Sequence, residues 1–347
     1  MTVGRFAGLD GIRALAVGAV VWHHTHGPVA GLPMSRNGFL GVDVFFVLSG
    51  FLITTLLLRE RAETGRISLS RFYIRRSLRI FPLYYAVLAV LAVYFVLAGQ
   101  ASSQRAWFLA ELPYHLTYTS NWVDIKSLMA ITWSLSTEEQ FYLAWPPLLV
   151  LLGRASVPLL LAVLALSQLV NFGALDGWLA AHGVAYDTLP ILQCTFTPIV
   201  LGTLLAFVFH AAPLRERLLG RLPAWTPLLG LVLMIAAANV GGDIRGWPRL
   251  AFQLASTLFL AGVVLQPAGR LVRALEWRPL AYVGSISYGV YLLHMLVVDI
   301  VKRSMARLDL HAESLVFAAC LAGTILLAGA SFRYFERPLL RIKNRFH

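Results

Sequence analysis

The sequence predicts an all-α integral membrane protein of about ten transmembrane helices. Three observations predict it. The 347 residues are 58% hydrophobic and only 13% charged. Mean hydropathy is +0.71, far above a soluble domain. Apolar stretches of spanning length recur along the whole chain, separated by arginine-rich segments.

These features exclude several classes. A net charge of +12 would suit nucleic acid, but the basic residues lie between apolar segments, where they set topology; no nucleic acid is expected. Cys194 and Cys320 sit in apolar surroundings and suit small buried side chains better than a disulfide or metal framework. The opening apolar run carries histidines and lacks a basic leader, so it is expected to be a retained helix. Residues 1–347 are expected to form a single transmembrane domain.

The predicted spans centre on 12–30, 38–58, 79–98, 133–152, 156–172, 189–210, 222–240, 248–266, 280–301 and 313–333. The segment 59–79 holds Arg59, Arg61, Arg66, Arg71, Arg75, Arg76 and Arg79, and is therefore placed in the cytoplasm as a loop. Segments 211–221 and 267–279 and the tail are basic too, whereas 31–37, 173–188 and 241–247 are poor in Lys and Arg. Ten spans with both termini cytoplasmic satisfy this pattern, except that Lys302, Arg303 and Arg307 fall on the outer side. Residues 99–132 are apolar but broken by Pro113 and polar residues; they are expected to form an irregular or re-entrant outer-side segment.

The first span, Leu9 to Gly27, carries Asp10, Arg13, His23, His24 and His26. Ionisable groups inside a span point to function. Eleven residues at about 100° each return His24 to within roughly 20° of Arg13, about 16 Å along the axis. His23 and His26 point about 100° and 140° away from His24, which spreads the three imidazoles around the helix and argues against a metal site. Arg13 is placed towards the cytoplasm and His24 towards the outside. An imidazole there suits general-base chemistry, although packing alone would also explain it.

Four further stretches carry polar groups. In Gly38–Thr54, Asp43 needs a cation or water and Ser49-Gly50 interrupts the apolar run. No base is expected at the depth of Ser49. In Arg71–Tyr85, Arg71, Arg75 and Arg79 share one face beside Arg76; this is a positive-inside signal that also suits phosphate recognition. In Thr132–Pro146, Glu138 and Glu139 are expected to open the fourth span at the outer side, level with His24, where a carboxylate could orient the imidazole. In Ser285–His294, Ser287, Tyr288, Tyr291 and His294 suit interhelical hydrogen bonding. The late Phe335–Pro338 places Glu336 near cytoplasmic arginines.

Taken together these motifs resemble acyltransferase family 3, the bacterial membrane-bound O-acyltransferases. They are LDGIRALAV with Arg13 and His24 eleven apart, GVDVFFVLSGFLIT, RRSLRIFPLYY, TWSLSTEEQFY, SISYGVYLLH and FERP. The resemblance implies a ten-helix domain in the bacterial cytoplasmic (inner) membrane, here in a stand-alone form without an appended hydrolase-like domain. It implies acyl-CoA, usually acetyl-CoA, as co-substrate and no permanently bound cofactor or metal. The acceptor would be a hydroxyl of a sugar, glycolipid, envelope polysaccharide or glycosylated small molecule. His24 would be the catalytic histidine, with Glu138 and Glu139 as further catalytic candidates. Arg13, Arg75, Arg76 and Arg79 would face the donor, supported by Asp10, Asp43, Ser49 and Tyr288. A transporter or flippase of a lipid-linked or anionic substrate is the rival class; its mark would be repeat symmetry between halves, which the sequence does not display.

Overall fold

The computed structural model describes residues 6–25, 36–97, 103–184, 186, 191–192, 196–241, 244–310 and 312–343. His26, Cys194 and both chain ends lie outside these residues, so the expectations placed on them are not addressed. Every regular element among the described residues is helical. The longer ones are α1 (Leu9–Thr25), α2 (Gly41–Thr64), α3 (Leu69–Leu97), α4 (Ser103–Leu116), α5 (Thr132–Leu152), α6 (Ser156–Asn171), α7 (Thr197–His210), α8 (Ala212–Arg221), α9 (Thr226–Ala238), α10 (Trp247–Leu265), α11 (Arg278–Ser285), α12 (Ser287–Arg307), α13 (Glu313–Ser331) and α14 (Arg337–Lys343).

Five helical segments are long and apolar enough to cross a membrane, or up to seven when each sharply bent pair counts as one span. The bends are 99° between α7 and α8 and 76° between α11 and α12. One segment, Thr132–Asn171, runs for 40 residues. At 1.5 Å per residue that is about 60 Å, roughly twice a hydrocarbon core. It breaks at Gly153, whose φ of +54° ends α5. Exposed apolar side chains such as Val90, Val93, Leu97, Leu143 and Leu151 give the bundle a surface suited to lipid. The helices thus fit a multi-pass membrane protein.

Two sequence expectations change. The arginine-rich segment 59–79 is not a loop: Arg59 and Arg61 end α2, and Arg71, Arg75, Arg76 and Arg79 belong to α3. The apolar residues between those arginines, such as the buried Phe72, give them a helical phase. Within 99–132, Ser103–Leu116 is a regular helix, about 21 Å long and too short to span. The irregular part follows it. Glu111 accepts the backbone N–H groups of Lys126 and Ser127, and the hydroxyls of Tyr84 and Tyr85 donate to the carbonyls of His115 and Leu116.

Close helix approach fixes the core arrangement. Gly50 of α2 faces the backbone of Ile199, and Gly202 of α7 faces the backbone of Val47. Small residues let two backbones meet in this way. At the other end, Gly284 of α11 lies on the carbonyl of Asp10 in α1. Gly50→Leu has only main chain to displace, so it is expected to destabilise the fold by about 1–3 kcal/mol or more. Size-exclusion chromatography after mild heating in detergent would read this as lost monodisperse protein. An unaltered profile would contradict the packing.

Candidate active site

Helices α1, α2, α3, α5 and α12 enclose a cavity of about 270 Å³. Arg13, Arg76 and Arg79 line it, as do Ser49, Glu138 and Tyr288. Arg13 donates to Asp10 at 2.6 Å, one turn away on the same helix. Arg79 is exposed, whereas Arg76 is half-buried among carboxylates. Arg75 points elsewhere and pairs with Glu60 at 3.6 Å. The cavity therefore gathers three of the four predicted donor-side arginines.

Both glutamates meet Arg76, not His24. Glu138 lies 4.0 Å and Glu139 3.9 Å from its guanidinium, which also sits 3.7 Å over the Tyr142 ring. The reason is depth. The two residues stand six and seven positions into α5, about 9–10 Å below its start at Thr132. A buried carboxylate needs a cation, and α3 supplies one at that level. The expectation of a carboxylate beside the imidazole is corrected accordingly.

Ser49 changes as well. Its hydroxyl donates to Glu138 Oε1 at 2.5 Å and accepts from the Tyr142 hydroxyl at 2.8 Å. A carboxylate does stand at its depth, contrary to the sequence expectation. Tyr142 was not singled out from the sequence. Tyr288 donates to the Ile80 carbonyl at 2.8 Å, tying α12 to α3.

His24 sits near the far end of α1 and outside the cavity wall as described. Its Nδ1 lies 2.9 Å from the Val20 carbonyl and 3.3 Å from Nε2 of His294. Lys302 donates to the His24 carbonyl at 3.0 Å, satisfying an orphan group at the helix C-terminus with a cation. That contact gives Lys302, one of the three basic residues that broke the charge pattern, a structural place. The cavity and His24 are linked through α12. Tyr291 lines the cavity, its hydroxyl lies 2.6 Å from Ser134 Oγ, and its carbonyl accepts from His294 Nδ1 at 2.5 Å. The signal for this link was present in the sequence: Ser287, Tyr291 and His294 fall within about 60° of one helix face.

Asp43 is engaged by other partners. Arg249 grips it with two nitrogens at 3.2 and 3.1 Å, and Gln253 donates at 2.9 Å. Arg249 and Gln253, one turn apart on α10, were not anticipated as its partners. Glu336, at the π-helical turn before α14, accepts from Ser331 at 3.1 Å.

A helical bundle with apolar flanks, an arginine-lined internal cavity and a paired histidine further along the same helix defines a membrane protein built around a buried polar site. The chain belongs to acyltransferase family 3: the profile of its acyltransferase domain matches residues 6–333. It is 29% identical to the peptidoglycan O-acetyltransferase OatA of Listeria monocytogenes, over 97% of this chain and 56% of that protein. It is 29% identical to the O-acetyltransferase OatA of Staphylococcus aureus, over 96% of this chain and 57% of that protein. The putative peptidoglycan O-acetyltransferase YrhL of Bacillus subtilis is 27% identical, over 96% of this chain and 54% of that protein. The chain thus spans a little over half the length of these relatives. No solved structure matches it.

Proposed function

We propose that the protein is a membrane O-acyltransferase of the bacterial inner membrane. It moves an acyl group, acetyl first among them, from cytoplasmic acyl-CoA to a hydroxyl of an envelope glycan. The relatives named as peptidoglycan O-acetyltransferases support a glycan acceptor. The observation that carries the reading is the cavity that gathers Arg13, Arg76 and Arg79 beside the helix bearing His24. Guanidinium groups suit the phosphates of CoA. The roughly 16 Å along α1 from Arg13 to His24 matches the reach of a long thin pantetheine arm. Ten spans with both termini in the cytoplasm would put the arginines on the donor side.

In this reading His24 takes the proton of the acceptor hydroxyl. The oxygen attacks the thioester carbonyl carbon, the carbon–sulfur bond breaks, and the imidazolium returns its proton to the CoA thiolate. Glu138 and Glu139 act by holding Arg76 and Ser49 in place.

The test is purified protein in lipid nanodiscs with acetyl-CoA and muropeptide-free glycan strands. Thiol release and a 42 Da mass gain on the glycan are expected, a mass increment fixed by the chemistry of acetylation. Neither signal with any glycan hydroxyl would overturn the reading. Arg79→Ala is expected to raise the KM for acetyl-CoA by about ten- to a hundredfold, the scale of one or two lost charge-assisted hydrogen bonds. Because Arg79 is exposed, its loss should spare the fold. Arg76→Ala would additionally leave two half-buried carboxylates without their cation. An unchanged KM in Arg79→Ala would return that arginine to a topology signal.

A further inference from the structure

We infer that His294 is the positioning residue of His24, doing with a neutral ring what a triad acid does with a carboxylate. The inference rests on the proposed acyl transfer for its kinetic consequence, but the contact itself does not. His294 is fully buried, at 0% exposure. Its Nδ1 faces the Tyr291 carbonyl, which can only accept, so Nδ1 carries the proton. In the neutral ring Nε2 is then the acceptor. That nitrogen points at His24 Nδ1, 3.3 Å away. His24 Nδ1 also faces a carbonyl, that of Val20, so it too carries its proton. The two bonds together fix one tautomer of His24 and put its basic lone pair on Nε2.

Three features of α12 make this a built arrangement. The same helix holds the backbone of His24 through Lys302, so side chain and main chain are gripped from one element. Tyr291, whose carbonyl sets the His294 tautomer, is part of the cavity wall. The rings of His24 and His294 meet edge to face with centroids 4.9 Å apart. Glu138 and Glu139 stand at the level of Arg76 and are engaged with it. When His24 takes the acceptor proton, its Nδ1–H becomes a stronger donor, and its hydrogen bond to His294 Nε2 strengthens. Proton and charge stay on His24; no second transfer is required.

Three variants test this in nanodiscs. His294→Leu removes the acceptor and keeps bulk. His294→Gln restores an amide oxygen near the position of Nε2 and an amide N–H for the Tyr291 carbonyl. His24→Ala combined with His294→Leu closes a cycle. For His294→Leu, kcat is expected to fall about ten- to a hundredfold, the scale seen when a metal-bound histidine loses its outer-shell hydrogen-bond partner, with the KM for acetyl-CoA unchanged. His294→Gln should recover most of the loss, and the double variant should be no slower than His24→Ala alone. Selective ¹⁵N-histidine NMR should show Nδ1-protonated His24 in the parent protein and a tautomer mixture in His294→Leu. Wild-type turnover in His294→Leu, or Gln performing no better than Leu, would overturn the assignment. If the parent protein transfers no acyl group, the function fails while the NMR signal still decides the histidine contact: one tautomer with and without His294 sinks it.

Discussion

His24→Ala is expected to lower acyl transfer by about 10²–10⁴-fold, the usual contribution of a general base, while leaving membrane-inserted protein and donor affinity intact. The magnitude follows from chemistry: a hydroxyl is a poor nucleophile until its proton is removed in the transition state. The selectivity follows from geometry. His24 stands near the last turn of α1, half-exposed and about 16 Å along the helix from Arg13. Removing its ring touches neither the arginine-lined cavity nor the Asp10–Arg13 pair. The packing positions on α1, among them Ile12, Val17, Val20 and Val21, are untouched. The measurement pairs thiol-release kinetics with isothermal titration of acetyl-CoA. Wild-type rates in His24→Ala would remove the central element of the proposed chemistry, and lost donor binding would mean that His24 belongs to the donor pocket.

The second large effect concerns stability. Arg249→Met is expected to cost about 3–5 kcal/mol, because it strands the Asp43 carboxylate in the interior. Asp43 is 1% and Arg249 4% exposed, and their forked contact joins the start of α2 to the start of α10. Among the described residues, Gln253 would remain as the side-chain donor to Asp43. Replacing both partners together, Asp43→Leu with Arg249→Met, is expected to recover most of the loss, since removing a whole buried ion pair is often close to neutral. Thermal unfolding of the three variants in one detergent reads the cycle. A double variant as unstable as Arg249→Met would show that the pair contributes more than charge compensation.

The two effects differ in how far the sequence foretold them. His24 was singled out by helical phase alone, because Arg13 and His24 share a face of one continuous helix. Asp43 could be recognised as needing a cation, but its partner lies 206 residues away. Glu138 shows the same limit. The span expected over 133–152 begins within one residue of α5, but Glu138 and Glu139 lie nearly two turns inside it rather than at its mouth. Only the neighbouring helices show that this depth is the level of Arg76 and Ser49. His294 was legible as a polar position on the face shared with Tyr291, but nothing local could reveal an imidazole opposite it.

By itself, the sequence determined a helical membrane bundle and the line on α1 from Arg13 to His24. These are consequences of composition and of the 3.6-residue period, which act along one chain segment. Only the tertiary structure decided the partners: Glu138 with Ser49 and Arg76, Asp43 with Arg249, and His24 with His294 and Lys302. Those pairings depend on which helices approach closely, as at Gly50 with Ile199 and Gly284 with Asp10. They depend as well on the depth at which each buried polar group finds its complement. Both are non-local quantities, set by packing and desolvation across the whole bundle.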